Sequence, residues 1–167
     1  EDTRCLGPRA APPAQAMQSS PEIAEAADQV IMEDTTDGLN SQLLDQDGRS
    51  MFAAGSKHPS ERTQLILRKI APVLQSLSNR ITITGHTDSS QLYDRANYTR
   101  WELSADRANV TRAILAEAGL PDDRFYAVTG KADTEPLFPD NTFLPANRRI
   151  SILIMSEAPP IPLTHKP

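Results

Sequence analysis

The sequence has one cysteine, few aromatic residues and no long apolar run. Cys5, alone, can neither close an internal disulfide nor assemble a metal cluster. Aromatics make up only 5% of the residues against 38% hydrophobic in all, so a core must be built from Leu, Ile, Val and Ala. No stretch approaches the roughly 18 apolar residues that a membrane-spanning helix requires. Basic residues are also scarce: 17 Lys and Arg face 22 Asp and Glu, for a net charge of −5. Without a basic block, the electrostatic footprint of a nucleic-acid binder is missing. Glu1 opens no signal-peptide pattern, and the numbering reads as beginning partway into a longer protein. What remains is 167 residues, enough for one domain with a real core and some tail.

Proline marks the ends. Pro8, Pro12, Pro13 and Pro21 lie near the start, and Pro159, Pro160, Pro162 and Pro167 near the finish. Residues 1–20 and 157–167 therefore read as a flexible linker and a flexible tail around a domain over 21–156. Inside it, Ser20, Pro21 and Glu22 have the order of a helix start. Residues 29–48 read as a hairpin turning at Asp37-Gly38. Residues 60–77 are helical, with Ile66, Ile70, Val73, Leu74 and Leu77 on one side and Pro72 expected to kink or split the helix. Residues 80–84 alternate as a strand. Thr99 and Glu102 have capping-box spacing, so the next helix begins near Arg100 and ends before Gly119 and Pro121. Strands follow at 124–130 and 148–155, separated by a proline-containing loop. Strands alternating with helices predict an α/β (α+β) sandwich: a mixed sheet with helices packed on one face.

One residue is out of place in that pattern. With Leu103 at zero, Val110 and Ile114 fall within about 20° of it on a helical wheel, and Arg107 falls on the same stripe. A guanidinium on an apolar face is costly unless something pairs with it. Asp88 lies just past strand 80–84, near the start of the helix carrying Arg107. Two readings follow. The pair could hold a zwitterion, aspartate on its ammonium and arginine on its carboxylate. It could instead be a plain salt bridge closing the helix onto the strand.

Other candidates are weaker. His86 and Asp88, two apart, suggest a metal site or general base, but two ligands make a poor site and a structural or ligand-orienting histidine fits better. His58 and His165 lack ligand spacing. "DQDG" (45–48) resembles the opening of a calcium loop without its closing glutamate, and reads as a turn. Arg148 and Arg149 must face opposite sides of a sheet, one toward the cleft and one toward solvent. No glycine-rich phosphate loop or GxSxG element is present, and Ser104 has no histidine near it in sequence.

Together "ITITGHTD", "LSADRANV" and "NRRISILI" resemble the OmpA-like peptidoglycan-binding domain. "DQDGRSMFAAGS", "APVL", "WELSADRAN" and "PANRRISILIM" resemble most the branch of flagellar stator B subunits. The resemblance spans about residues 29–156. It implies a βαβαβ core and a non-catalytic domain that anchors a motor stator to the cell wall by binding the diaminopimelate of the peptidoglycan stem peptide. It carries a binding role onto Thr87, Asp88, Leu103, Ser104, Arg107 and Arg148, with no cofactor and no metal. Arg100 stands where the wider family usually has Asn, so a cleft hydrogen bond is expected to be missing or replaced. Stator B subunits also have a transmembrane helix that meets the stator A subunit. That helix is not visible here, so the chain reads as the soluble periplasmic part of a single-pass inner-membrane protein, working as a weak homodimer. The alternatives are a wall anchor of another envelope protein and a peptidoglycan hydrolase using His86 and Asp88.

Overall fold

A computed structural model describes residues 13–19, 21–24, 28–46 and 48–156. Five strands form one sheet: β1 (Val30–Thr35), β2 (Gly38–Leu44), β3 (Ile81–His86), β4 (Phe125–Gly130) and β5 (Arg149–Met155), in the order β1-β2-β5-β3-β4. Only β3 and β4 run parallel; the other pairs are antiparallel. The sheet is mixed, as the sequence predicts. Leu39 pairs with Ile154, Leu43 with Ile150 and Ile83 with Ile152, so one face of β2, β5 and β3 is a continuous aliphatic surface. Against it lie α3 (Glu61–Gln75), through Leu67, Ile70, Ala71 and Leu74, and α4 (Arg100–Glu117).

The first hairpin turns one residue earlier than expected. Thr35 pairs with Gly38, leaving Thr36-Asp37 as the two-residue loop. Register decides this: Leu39 and Leu43 must both face the core, and a one-residue slip would turn them outward. Pro72 neither splits nor stops α3, which runs unbroken for 15 residues from its Ser60 cap. The buried stripe of α3 is also rotated: Leu67 is in the core, while Ile66 and Val73 are only partly buried.

A larger correction concerns the linker expected over residues 1–20. Pro13–Gln18 form a short helix, α1, and Met17 is 1% exposed within the main core. A long flexible thioether fills the gap there, with Ala14 and Ala16 packed beside it. Pro21–Ala24 form α2 with Pro21 at the first position, as read; Ser20 and residues 25–27 lie outside the described residues, as do 1–12 and 157–167.

The contact that places the site is between α4 and the parallel pair. Two parallel strands need a crossover, and α4 is that crossover. Its first turns sit directly on strand backbone. A Cβ on Gly85 would lie 2.1 Å from the Ser104 carbonyl oxygen, and one on Gly130 would lie 2.4 Å from the Ala105 nitrogen. Two glycines at the ends of β3 and β4 thus let the helix approach closely enough for Ser104 and Arg107 to be buried. The helix start is the expected capping box, with the Thr99 N–H donating to Glu102 Oε2 at 2.7 Å.

Candidate functional site

A cleft of about 260 Å³ opens beyond the carboxyl end of β3. It is bounded by α4, by the 50–55 segment and by the loop after β3. Thr87, Asp88, Leu103, Arg107 and Arg148 all line it. Five of the six residues that the sequence assigns to binding therefore share one cleft. The sequence reading missed Phe52 and Tyr93, which line the cleft as well, and Arg100, noted only for standing where the family has Asn, lines it too.

Arg107 is 5% exposed and sits in the middle of the buried face of α4. Its Nε donates to the Ser56 carbonyl at 2.8 Å and its Nη2 to the Ala53 carbonyl at 3.3 Å. The guanidinium lies over the Phe52 ring, 4.9 Å from its centroid. No carboxylate lies within ion-pair distance of Arg107 among the described residues. The direct Asp88–Arg107 salt bridge is therefore not formed. Burial lowers the Arg107 pKa, and the more distant charge of Asp45 opposes that only in part. The result is a charged group, fixed by backbone carbonyls and by an aromatic face, with unused N–H groups at the edge of a cleft.

Asp88 has a different partner. Its Oδ2 accepts from Arg148 Nη1 at 2.6 Å, and its Oδ1 accepts from the Ser90 N–H at 3.0 Å. Arg148 also donates from Nε to Asp45 Oδ2 at 2.9 Å, so one guanidinium bridges two carboxylates. Burial would lower the Arg148 pKa, but the two carboxylates outweigh it and raise the value. Asp45 in turn accepts from the Met51 N–H at 2.7 Å, and burial raises its pKa despite these bonds. Asp45, the first acid of "DQDG", is thus a strut between the 45–51 turn and Arg148, the residue before β5. Among the described residues, no group of three or more possible ligands could hold a metal ion.

Ser104 does not line the cleft. It is fully buried behind it, donating to the Trp101 carbonyl at 3.0 Å and accepting from the Ala132 N–H at 3.0 Å. The Ala132 carbonyl accepts from the Thr87 N–H at 2.8 Å. Ala132 makes both bonds at φ 49°, a left-handed conformation that costs a non-glycine residue roughly 1 kcal/mol or more. Ser104 therefore acts through Ala132 to hold Thr87, one residue from Asp88. Arg100, at the position of the family's Asn, lines the cleft and bonds Asp133 Oδ2 at 2.9 Å, with Asp94 Oδ2 3.3 Å from its Nε.

His86 and Asp88 part company. β3 ends at His86, and the imidazole faces the outer side of the sheet while Asp88 faces the cleft. Two-residue alternation holds only within a strand, so it could not carry across this end. Arg149 also faces outward, but it is 7% exposed rather than in solvent, because Gln42, Asn147 and Glu135 wrap it.

Comparison with known proteins agrees with this architecture. Residues 51–149 match the OmpA family. Motility protein B of Escherichia coli K12 is 36% identical over 144 residues, which cover 86% of this chain and 47% of that protein. The chain thus spans about half the length of that relative. The cell wall anchor of the type VI secretion system of Pseudomonas aeruginosa superposes with a TM-score of 0.67 at 27% identity, covering 90% of this chain and 99% of that one. A periplasmic domain of Helicobacter pylori MotB superposes with a TM-score of 0.70 at 23% identity, over 81% of this chain and 85% of that one. The five sequence-predicted cleft residues all fall within the matched span, and the chain belongs to the OmpA family.

Proposed function

We propose that this chain is the peptidoglycan-anchoring domain of a flagellar stator B subunit, and that its cleft holds the zwitterionic end of diaminopimelate. One observation carries the reading. Asp88 and Arg107 line the same cleft, each fixed by other partners and not by one another. An anion site and a cation site held apart by the fold suit a ligand that bears both charges. Asp88 would accept from the ammonium and Arg107 would donate to the carboxylate, with Thr87 and Leu103 shaping the wall between them. The role is anchoring and not hydrolysis. The acid and imidazole that a hydrolase reading would use, Asp88 and His86, lie on opposite sides of the sheet and cannot share a reacting atom.

The similarity to motility protein B and to a cell wall anchor supports the same conclusion. On this reading the domain stands in the periplasm, tethered by an inner-membrane span to a stator A subunit, and pairs with a second copy. The exposed edge strands, with Ile31 on β1 and Tyr126 on β4, offer places for that pairing. The test is retention on purified sacculi with free diaminopimelate as competitor. Wild type should bind and be displaced, and Arg107→Leu and Asp88→Asn should bind weakly. Release of soluble fragments from the sacculi, or binding that diaminopimelate does not disturb, would overturn the reading.

A further inference from the structure

The outer face of the sheet carries most of the polar strand residues, among them Asn40, Gln42, Thr82, Thr84 and Ser151, and no described helix covers it. The cross-strand row Gln42–Ser151–Thr84 floors an open trough of about 440 Å³, larger than the cleft. One end of the trough is formed by His86 and Arg149, directly opposed in register on β3 and β5, with Lys131 and Glu135 beside them.

Both residues at that end are buried without the partners their chemistry calls for. Arg149 donates from Nε to Gln42 Oε1 at 2.6 Å, from Nη1 to the Asn147 carbonyl at 3.2 Å and from Nη2 to the Glu135 carbonyl at 2.7 Å. Every acceptor is neutral: the Glu135 carboxylate is bonded to Lys131 at 2.9 Å and acts on Arg149 only from beyond ion-pair distance, offsetting its burial in part. A guanidinium has five N–H groups, so two remain. A buried cation with no carboxylate in direct contact is costly. His86 is 5% exposed, and its Nδ1 has no hydrogen-bond partner. An unpaired buried polar atom has a desolvation cost of its own. The two residues are register partners on β3 and β5, and their deficits are of the kind that one ligand would satisfy.

We propose that the Arg149–His86 end of this trough is a second binding site, for a small oxyanion: a carboxylate or phosphate group received by the remaining guanidinium N–H groups and the imidazole. Arg149 and Lys131 repel a metal cation, and no Phe, Tyr or Trp is among the described residues lining the trough to stack on a sugar. The site is on the face opposite the cleft and stands independently of the wall-anchoring reading. Its electrostatics give it a signature. Burial, and then the charge of Arg149, hold the His86 pKa down to about 4. The charged groups facing the imidazole are Arg149 from β5 and Lys131 and Glu135 from the loop after β4. An anion seated on Arg149 would offset its charge and let His86 take up a proton more readily.

The experiment is an NMR titration of the chain with inorganic phosphate and, separately, with acetate, following the His86 ring and the Gln42 and Ser151 amides. The expected result is a saturable shift of these signals, with the His86 pKa rising by about one unit at saturation. Arg149→Gln should abolish both. Since that variant removes three hydrogen bonds and could unfold, His86→Gln is the second variant, and it should bind phosphate several-fold more weakly with its fold intact. A third arm with soluble muropeptides separates sources. Tighter binding than acetate assigns the anion to the wall polymer, and equal binding assigns it to free solutes. Non-saturating shifts, shifts that persist unchanged in both variants, or shifts that follow protein concentration instead of anion concentration would overturn the proposal. The last of these would make the face a contact between copies.

Discussion

Replacing Arg107 by leucine separates a ligand-binding arginine from a structural one, and the structure sets the size of each effect. The variant loses two charge-assisted hydrogen bonds, to the Ser56 and Ala53 carbonyls. Bonds to charged groups contribute about 1.5–3 kcal/mol each. It also loses the contact with Phe52, about 0.5–2 kcal/mol. Against these stands relief of the desolvation of a nearly buried guanidinium, several kcal/mol, and about 1.5–3 kcal/mol from burying a leucine. The opposing contributions are of similar size, so stability should change by less than about 2 kcal/mol in either direction. The sequence alone suggests a neutral or stabilising change; loss of the two bonds removes most of that gain, since the Ser56 carbonyl is left without its Arg107 donor while the Ala53 carbonyl keeps only the Ser56 N–H.

Ligand affinity should respond differently. Removing one end of a desolvated charge pair costs about 2–5 kcal/mol, a loss of about 30-fold to several thousand-fold. A soluble diaminopimelate muropeptide measured by calorimetry is the better probe, since sacculi multiply contacts and mask single-site losses. Arg107→Lys keeps the charge but cannot grip two carbonyls and still present a second prong, so it should lose affinity in part. Equal affinity in wild type and Arg107→Leu would refute the reasoning. So would a fall in melting temperature large enough to account for the whole loss of binding.

Four further outcomes follow from the packing. Ser104→Ala leaves the Ala132 N–H buried without an acceptor, so thermal denaturation should show a loss of about 1–3 kcal/mol; a stable variant defective only in binding would return Ser104 to the ligand. Gly85→Ala drives a methyl into the Ser104 carbonyl, and denaturant titration should show at least about 1–3 kcal/mol of destabilisation with loss of muropeptide binding. Met17→Ala should cost about 2–5 kcal/mol if α1 belongs to the core, and nothing if residues 13–19 are a linker. The His86 pKa is about 4 in the folded chain against an ordinary 6.5, so the unfolded chain binds the proton first. Stability should be full above about pH 6.5 and decline as pH falls toward 4, and His86→Gln should flatten that slope in pH-dependent melts.

Arg107 also shows how far the sequence could be read. Its place on an apolar helical stripe was legible from period alone, because burial on α4 follows the 3.6-residue repeat whatever the tertiary contacts are. The start of α4 was legible for a similar reason: Thr99 and Glu102 satisfy the capping box locally. Positions fixed by long-range geometry were not. Ser104 shares the motif of Arg107 and reads as its neighbour in the site, yet Gly85 and Gly130 bring the helix so close to β3 and β4 that Ser104 is sealed behind the cleft. Met17 follows a proline pair in a stretch without periodicity, and only the gap it fills in the core gives it a role. The true partners of Arg107 left no trace in residue types at all. They are the carbonyls of Ala53 and Ser56, which every residue possesses, presented by a segment whose course depends on the Asp45–Met51 bond, on the Phe52–Pro59 bridge and on Arg107 itself. A sequence pattern can announce that a buried charge needs a partner. When the partner is backbone, only the path of the chain can say which one, and here that path leaves Asp88 to Arg148 and keeps part of Arg107 for the cleft.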